Sequence, residues 1–211
     1  MPQTLKSIRS SRFLVLLLAL AAVFFLASLP AMAISTEILR MPTADVLPFG
    51  RLALEAGYPF DSTVQRATIG LPHGFQLAAA VPPGGSYAEG VTADLRYRLV
   101  EGTLVTPAAA VGTTFNTKTN AFAPYAVLTK GILNAKFTAG VHLDELTALR
   151  QGDNPVFAGV DLDVFGPLHA LAEYEDGALR YGAKLSLLNA EVKAYLEGNK
   201  VNLLGRLVLP F

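Results

Sequence analysis

The chain has 211 residues, with 17 basic and 17 acidic residues and a formal net charge of zero. Charged residues make up 16% of the sequence, against ~25% in an average soluble domain. Cysteine does not occur, which excludes disulfides and thiolate metal sites, and without a basic run the chain is not expected to bind nucleic acid.

The first 33 residues have the pattern of a cleavable signal peptide. Three basic residues precede an apolar run over 13–29 in which Ser28 is the one polar residue. Ala31 and Ala33 then give the small-x-small pattern of a signal-peptidase site, so we expect cleavage after Ala33. An uncleaved membrane anchor is the alternative, because about 17 apolar residues is the lower limit for a spanning helix. Cleavage leaves 14 basic and 17 acidic residues, a mature charge of −3.

The next segment, residues 34–50, has no regular period. Pro42 and Pro48 argue against a central strand, because proline has no N–H to donate to a sheet ladder. The segment could cross the mouth of the domain that follows, enter its interior or extend freely, and the sequence does not decide among these.

Apolar and polar residues alternate with a period of two over residues 51–211, and Gly, Pro, Asn and Asp interrupt the alternation at short intervals. This pattern predicts a single all-β domain of about twelve strands. The predicted strands are roughly 51–58, 63–71, 74–81, 90–100, 103–114, 121–130, 134–143, 155–165, 168–175, 178–187, 190–197 and 200–210.

Short and long connections alternate through most of this domain. We predict tight turns at 72–74, 101–102, 131–133, 166–167 and 188–189, longer connections at 82–90, 115–122 and 144–155, and two short ones at 176–177 and 198–199. Such alternation is typical of an antiparallel up-and-down barrel that spans a membrane, with both ends of the domain on one side.

Each predicted strand has one apolar face and one face that carries charges. In a soluble secreted barrel or sandwich the apolar face points inward, where it can bind an apolar ligand, whereas in an outer-membrane barrel it contacts lipid. The export signal and the nearly charge-free apolar face, with Lys130 only at a strand end, favour the membrane barrel. The residues then predicted to face the lumen are Arg51, Glu55, Asp94, Arg96, Arg98, Lys136, Asp161, Asp163, Glu173, Glu175, Arg180, Lys184, Glu191, Lys193 and Arg206.

The charges on this face are balanced in sign, so they are expected to pair across the interior. Eight strands give a filled barrel and sixteen or more give a channel. About twelve strands therefore predict a narrow, charge-lined lumen rather than a wide porin. The acid pairs at 161/163 and 173/175 could bind a cation, but ion pairs with Arg180 and Lys184 are the expected arrangement.

Catalytic and metal motifs are not found in the sequence. The three histidines have no convincing serine partner, there is no G-x-S-x-G motif, and His142 is expected to be a polar lumen or loop residue. Metal-ligand spacing is also missing. We therefore expect no enzyme activity, no metal and no cofactor, and a structural or small-solute-passage role.

The last strand ends with Phe211, preceded at alternate positions by Leu209 and Leu207. It resembles the terminal strand of bacterial outer-membrane barrels. That resemblance implies that these three residues form an assembly signal, and that the barrel-assembly machinery and membrane lipid are partners. Pro210 departs from the pattern because it has no N–H.

Two further stretches resemble YjbH-type outer-membrane proteins, which are associated with exopolysaccharide production. Residues 38–54 have Met-Pro-Thr-Ala before an amphipathic strand, and residues 155–176 have a Gly-containing strand, a tight turn and a strand with Ala-Glu-Tyr. The resemblance implies a barrel in the outer envelope, and it suggests a link with a polysaccharide-export partner as a hypothesis.

Overall fold

A computed structural model of the chain describes residues 36–59, 65–81, 90–143 and 155–211. The predicted signal peptide, with Ala31 and Ala33, lies outside these residues. Within the described part of the chain, no helix is long and apolar enough to cross a membrane.

Twelve strands in the described residues form a closed barrel in which each strand pairs antiparallel with its neighbours in the chain. The strands are β1 (Arg51–Tyr58), β2 (Gln65–Gly70), β3 (Phe75–Val81), β4 (Thr92–Val100), β5 (Ala108–Asn116), β6 (Ala121–Ile132), β7 (Ala135–His142), β8 (Val156–Phe165), β9 (Leu168–Glu175), β10 (Ala178–Leu187), β11 (Ala190–Glu197) and β12 (Lys200–Pro210). The predicted all-β antiparallel up-and-down barrel of about twelve strands is confirmed.

The first and last strands close the barrel. Arg51 lies opposite Pro210 and Tyr58 lies opposite Leu203. Beyond this ladder, the backbone N–H of Phe211 donates a hydrogen bond of 3.0 Å to the carbonyl oxygen of Gly50. Pro210 is the last residue of β12, so its missing N–H interrupts no interior part of the ladder.

The two ends of the barrel differ in their connections. Both ends of the barrel domain lie at what we call the turn end, together with the connections at 71–74, 101–107, 133–134, 166–167 and 188–189. The opposite, loop end has the connections at 117–120, 176–177 and 198–199, and the strand ends on either side of 60–64, 82–89 and 144–154 also lie there. The turn end therefore has mostly tight turns, and the loop end has the longest connections.

Two connections differ most from the sequence prediction. The fifth strand begins at Ala108 rather than at residue 103, because residues 103–106 form a turn. The backbone N–H of Thr103 donates a hydrogen bond of 2.9 Å to the carbonyl oxygen of Thr106. The connection predicted over 115–122 is only a four-residue turn, stabilised by Asn116 Oδ1, which accepts the N–H groups of Lys118 and Thr119.

The buried core lies inside the barrel rather than between layers. Ile38, Leu39, Met41 and Ala44 pack there against inward-facing apolar side chains of the wall. Met41 is fully buried. Of the three placements open for the segment 34–50, the described residues from 36 onward therefore occupy the interior, and we call residues 36–48 the plug.

Candidate functional site

The plug is a short hairpin. Glu37 and Pro42 form an isolated antiparallel bridge. The N–H of Ile38 donates to the carbonyl oxygen of Met41, and the N–H of Thr43 donates to the carbonyl oxygen of Thr36, both at 3.1 Å. These few internal bonds leave most of the plug's backbone groups to be satisfied by the barrel wall.

Glu173 on β9 binds the tip of the hairpin. Its carboxylate accepts the backbone N–H groups of Leu39 at 3.0 Å, Arg40 at 3.0 Å and Met41 at 3.1 Å. Glu173 is 1% exposed, and its negative charge is also bonded to Arg180 Nη1 at 3.2 Å. One buried carboxylate thus satisfies three successive backbone donors of the plug, which are otherwise without partners in the hairpin.

Arg96 on β4 binds the other end of the hairpin. Its Nη1 donates to the carbonyl oxygens of Thr36 at 2.9 Å, Thr43 at 3.3 Å and Asp45 at 3.4 Å. Its Nε donates to the hydroxyl of Tyr125 at 2.9 Å. The guanidinium therefore joins both arms of the plug to the wall, and its five donors suit several acceptors at once.

The second arm is bound along its length by three further strands. The N–H of Ala44 donates to Thr129 Oγ1 and the N–H of Leu47 donates to Gln76 Oε1, both at 2.8 Å. Asp45 pairs with Lys136 at 2.7 Å. On the first arm, Glu37 forms a close ion pair with Arg66, and its carbonyl oxygen accepts a bond from Lys193 Nζ at 3.0 Å.

Two glycines of the wall provide space for the plug. A Cβ at Gly159 would lie 2.7 Å from Cδ1 of Ile38 and 3.0 Å from Cε of Met41. A Cβ at Gly70 would lie only 1.9 Å from the carbonyl oxygen of Pro48. Plug and wall are therefore fitted to each other at both positions.

A second charged network lies below the hairpin tip, on the side of the turn end. Asp161 accepts a bond from Lys184 and lies 2.8 Å from His169 Nδ1. The first charged network is the one around Arg180 at the loop end. Besides Glu173, Arg180 pairs there with Glu175 at 3.4 Å and with Glu197 at 2.7 Å. Buried charges in these networks are paired, as they must be to offset desolvation.

Cavities lie on both sides of the plug. A cavity of about 1160 Å³ opens at the turn end and is lined by Asp45, Arg98, Lys136, Asp161 and Lys184 among others. A cavity of about 130 Å³ lies on the loop side, next to Arg66, Tyr125 and His142. His142 there packs on the Phe157 ring with centroids 4.7 Å apart.

Every residue predicted to face the lumen occupies an inward position of its strand. Five of them, Arg96, Lys136, Glu173, Lys193 and Arg206, contact the plug. Others pair with one another, as Asp161 does with Lys184, whereas Arg51 and Asp163 near the turn end join neither network among the described residues. The described residues also contain no group of His, Asp and Glu that could hold a metal ion.

Sequence reasoning missed several residues of the site. Arg66 and Gln76 occupy alternate, inward positions of β2 and β3, so strand parity could have identified them. Glu37 and Asp45 on the plug had no such signal, because their segment has no period.

The outer surface of the barrel is apolar. Among the outward positions of the described strands, Lys130 is the one charged residue, and its Nζ donates to the carbonyl oxygens of Thr103 at 2.9 Å and Leu104 at 2.6 Å. The connection 101–107 thus covers this charge at the turn end. Outward leucines such as Leu54 and Leu203 are instead 44% exposed.

Comparisons with known proteins give no family for this chain. No protein-family model matches it, and no curated protein matches it significantly.

Proposed function

We propose that this protein is an exported outer-membrane β-barrel whose outer face contacts lipid and whose lumen is a narrow, charge-lined passage occupied by the plug. In this proposal it is a structural or small-solute-passage protein rather than an enzyme. Its partners are membrane lipid and the barrel-assembly machinery.

The observation that carries the proposal is the orientation of the sheet. Exposed leucine, valine and aromatic side chains cover the outside, and paired charges lie inside. A water-facing apolar surface that encircles the whole barrel is far larger than monomeric soluble proteins expose. A soluble barrel that binds an apolar ligand needs the opposite orientation. In a membrane the apolar outer surface contacts lipid tails instead of water, so its exposure is no longer unfavourable.

Aromatic residues near both ends of the barrel support the same proposal. Phe75 and Tyr97 stack on the outside near the turn end, with ring centroids 4.4 Å apart. Phe115 and Phe122 lie together near the loop end, with centroids 4.8 Å apart. Membrane barrels have such aromatic girdles at the two interfaces.

Passage of a small solute is supported by the cavity at the turn end and by the mixed charges around it. The plug lies across the route from this cavity to the loop end, so passage requires the plug to move or the solute to be very small. A link with polysaccharide export is supported only by the resemblance of residues 38–54 and 155–176 to YjbH-type proteins.

Fractionation of a Gram-negative host that expresses the full precursor tests the location. We expect the protein in the outer-membrane fraction, released by detergent and not by salt or osmotic shock. The unboiled protein should migrate differently on SDS gels from the boiled protein, because a closed barrel resists SDS. Release of folded protein by an osmotic wash would contradict the proposal. Conductance of the purified protein in planar bilayers then distinguishes passage from a purely structural role.

A further inference from the structure

The ion pair between Asp45 of the plug and Lys136 of β7 differs from the buried pairs of the lumen. The charged atoms are 2.7 Å apart, but the two side chains are 28% and 42% exposed, so water reaches both. Among the described residues it is the only side-chain ion pair between the second arm of the plug and the wall. Ion pairs exposed to this degree contribute little free energy, so a competing charge can replace one member at small cost.

The pair is also accessible from the turn end. Asp45 and Lys136 both line the cavity of about 1160 Å³ that opens there, and both line a neighbouring cavity of about 420 Å³. Ligand pockets commonly have volumes of about 300–1,000 Å³. A small organic solute therefore has room to reach the pair.

The lining of the larger cavity is mixed in charge, so it does not favour a simple anion. Among the described residues, its carboxylates are Asp45, Glu101, Asp161 and Asp163, and its lysines and arginines are Arg98, Lys136 and Lys184. Its two histidines are His73 and His169. A solute that carries both signs of charge fits such a lining better than a solute that carries one.

The bonds of Asp45 and Lys136 point to the same class of solute. An anion that binds Lys136 leaves the Asp45 carboxylate without a hydrogen-bonded cation, because Arg96 attracts this carboxylate but donates to the Asp45 carbonyl oxygen. A cation that binds Asp45 leaves Lys136 unpaired among the described residues. A zwitterion offers a partner to both residues at once.

We propose that the turn-end cavity binds a small zwitterionic solute, which inserts between Asp45 and Lys136 and loosens the second arm of the plug. The carboxylate of the solute pairs with Lys136 and its ammonium group pairs with Asp45, so neither residue loses a counter-charge. The inference rests on the passage role in the proposed function, for which it names the class of solute.

The second arm then depends on hydrogen bonds without an ion pair. The N–H groups of Ala44 and Leu47 donate to neutral side-chain oxygens of the wall. Arg96 donates to two carbonyl oxygens of this arm at 3.3 and 3.4 Å, both longer than its 2.9 Å bond to Thr36 on the first arm. We therefore expect the second arm to open more often when the solute is bound, while the first arm stays attached.

The test compares three probes with the same carbon chain and different charges, 4-aminobutyrate, butyrate and butylamine. The full precursor is expressed, and the processed protein is purified in a non-ionic detergent for equilibrium dialysis at pH 7. Because each exposed ion pair contributes up to about fivefold in affinity, 4-aminobutyrate should bind about fivefold more tightly than either singly charged probe. Equal binding of the three probes, or no binding of 4-aminobutyrate, would overturn the proposal.

Four variants assign the binding to the ion pair. Lys136→Met and Asp45→Asn each remove one charge and should weaken 4-aminobutyrate binding about fivefold, whereas Lys136→Arg keeps the charge and should preserve it. Glu101→Gln alters the other exposed pair of this cavity, with Arg98 at 3.7 Å, which does not involve the plug. It should leave the affinity unchanged. Equal losses in Glu101→Gln and Lys136→Met would overturn the proposal.

Movement of the plug is measured at Val46, which is 4% exposed and follows Asp45 in the second arm. The chain has no cysteine, so Val46→Cys introduces a single thiol for labelling with N-ethylmaleimide. Saturating 4-aminobutyrate should raise the labelling rate about two- to fivefold, and butyrate should not. An unchanged rate at saturating 4-aminobutyrate would overturn the proposal, because the arm then stays in place.

These outcomes separate the inference from the proposed function. A confirmed outer-membrane barrel that binds the three probes equally would overturn the inference alone. Selective binding of 4-aminobutyrate that depends on Lys136, in a protein released by osmotic shock, would support the inference and contradict the membrane location.

Discussion

Glu173 and Arg180 lie opposite each other on β9 and β10, with Arg180 Nη1 3.2 Å from Glu173 Oε1. The same carboxylate accepts three backbone N–H groups at the tip of the plug. A wall-to-wall ion pair and the attachment of the plug therefore depend on one side chain. Loss of its charge should affect the barrel and the plug together.

Glu173→Gln should loosen the plug without preventing barrel closure. The variant keeps one acceptor oxygen but loses the charge, and hydrogen bonds to charged groups contribute about 1.5–3 kcal/mol. We expect the free energy of unfolding in detergent to fall by about that amount. Planar-bilayer recordings should also show more frequent or larger openings than the native protein.

Asp163→Asn is the control for Glu173→Gln, because it also removes one inward carboxylate, but one that forms no hydrogen bond or ion pair with either network among the described residues. Its unfolding free energy should change by less than about 0.5 kcal/mol. Identical conductance in Glu173→Gln and native protein, at equal protein insertion, would show that Glu173 does not hold the plug in place.

Gly70→Ala should displace the second arm of the plug. The added Cβ would meet the backbone oxygens of Pro48 at 1.9 Å and Leu47 at 2.4 Å, and backbone atoms cannot rotate away as a side chain can. Overpacking of this kind destabilises by about 1–3 kcal/mol. Denaturant unfolding measures the change.

Gly205→Ala provides the comparison for Gly70. Gly205 lies in β12 on the outward face, and its nearest contact would be the carbonyl oxygen of Ala56 at 3.8 Å. It should change stability by less than about 0.5 kcal/mol. Equal effects of the two substitutions would mean that general strand propensity, not the plug, determines the cost.

The barrel could be predicted from the sequence because every strand repeats with period two. Five of the twelve strands, including β9 and β10, have the same bounds in prediction and structure. The start of the fifth strand was predicted wrongly, because residues 102–107 continue the mixed apolar and polar pattern of a strand. In the structure the Thr103 hydroxyl accepts hydrogen bonds from the backbone N–H groups of Val105 and Thr106, and these bonds form a turn.

The plug could not be predicted, because its position depends on contacts between residues far apart in the chain. Leu39 and Glu173 are separated by 134 positions, and Lys193 and Glu37 by 156. Nothing in the local pattern of residues 34–50 marks which backbone donors need a partner. The charged residues of the wall could be assigned to one face, but their role in binding a hairpin was visible only in three dimensions.

Ala183→Arg and Leu187→Arg test whether the outer face contacts lipid. Both residues point outward on β10, Ala183 within the strand and Leu187 at its last position. Arginine facing lipid costs about 2–4 kcal/mol at the midplane and about 0–1 near an interface. Ala183→Arg should therefore reduce the SDS-resistant folded fraction much more than Leu187→Arg. A water-facing barrel would tolerate both substitutions.

Deletion of Phe211 should impair assembly in cells far more than stability in detergent. Its side chain is 66% exposed, and its backbone loses one bond to Gly50, worth about 0.5–1.5 kcal/mol. If the terminal strand is an assembly signal, folded protein in the outer membrane should fall several-fold, while the purified variant unfolds within about 1.5 kcal/mol of the native protein. Phe211→Tyr keeps an aromatic terminus and should restore assembly. Equal membrane levels of the deletion variant and the native protein would show that Phe211 is not an assembly signal.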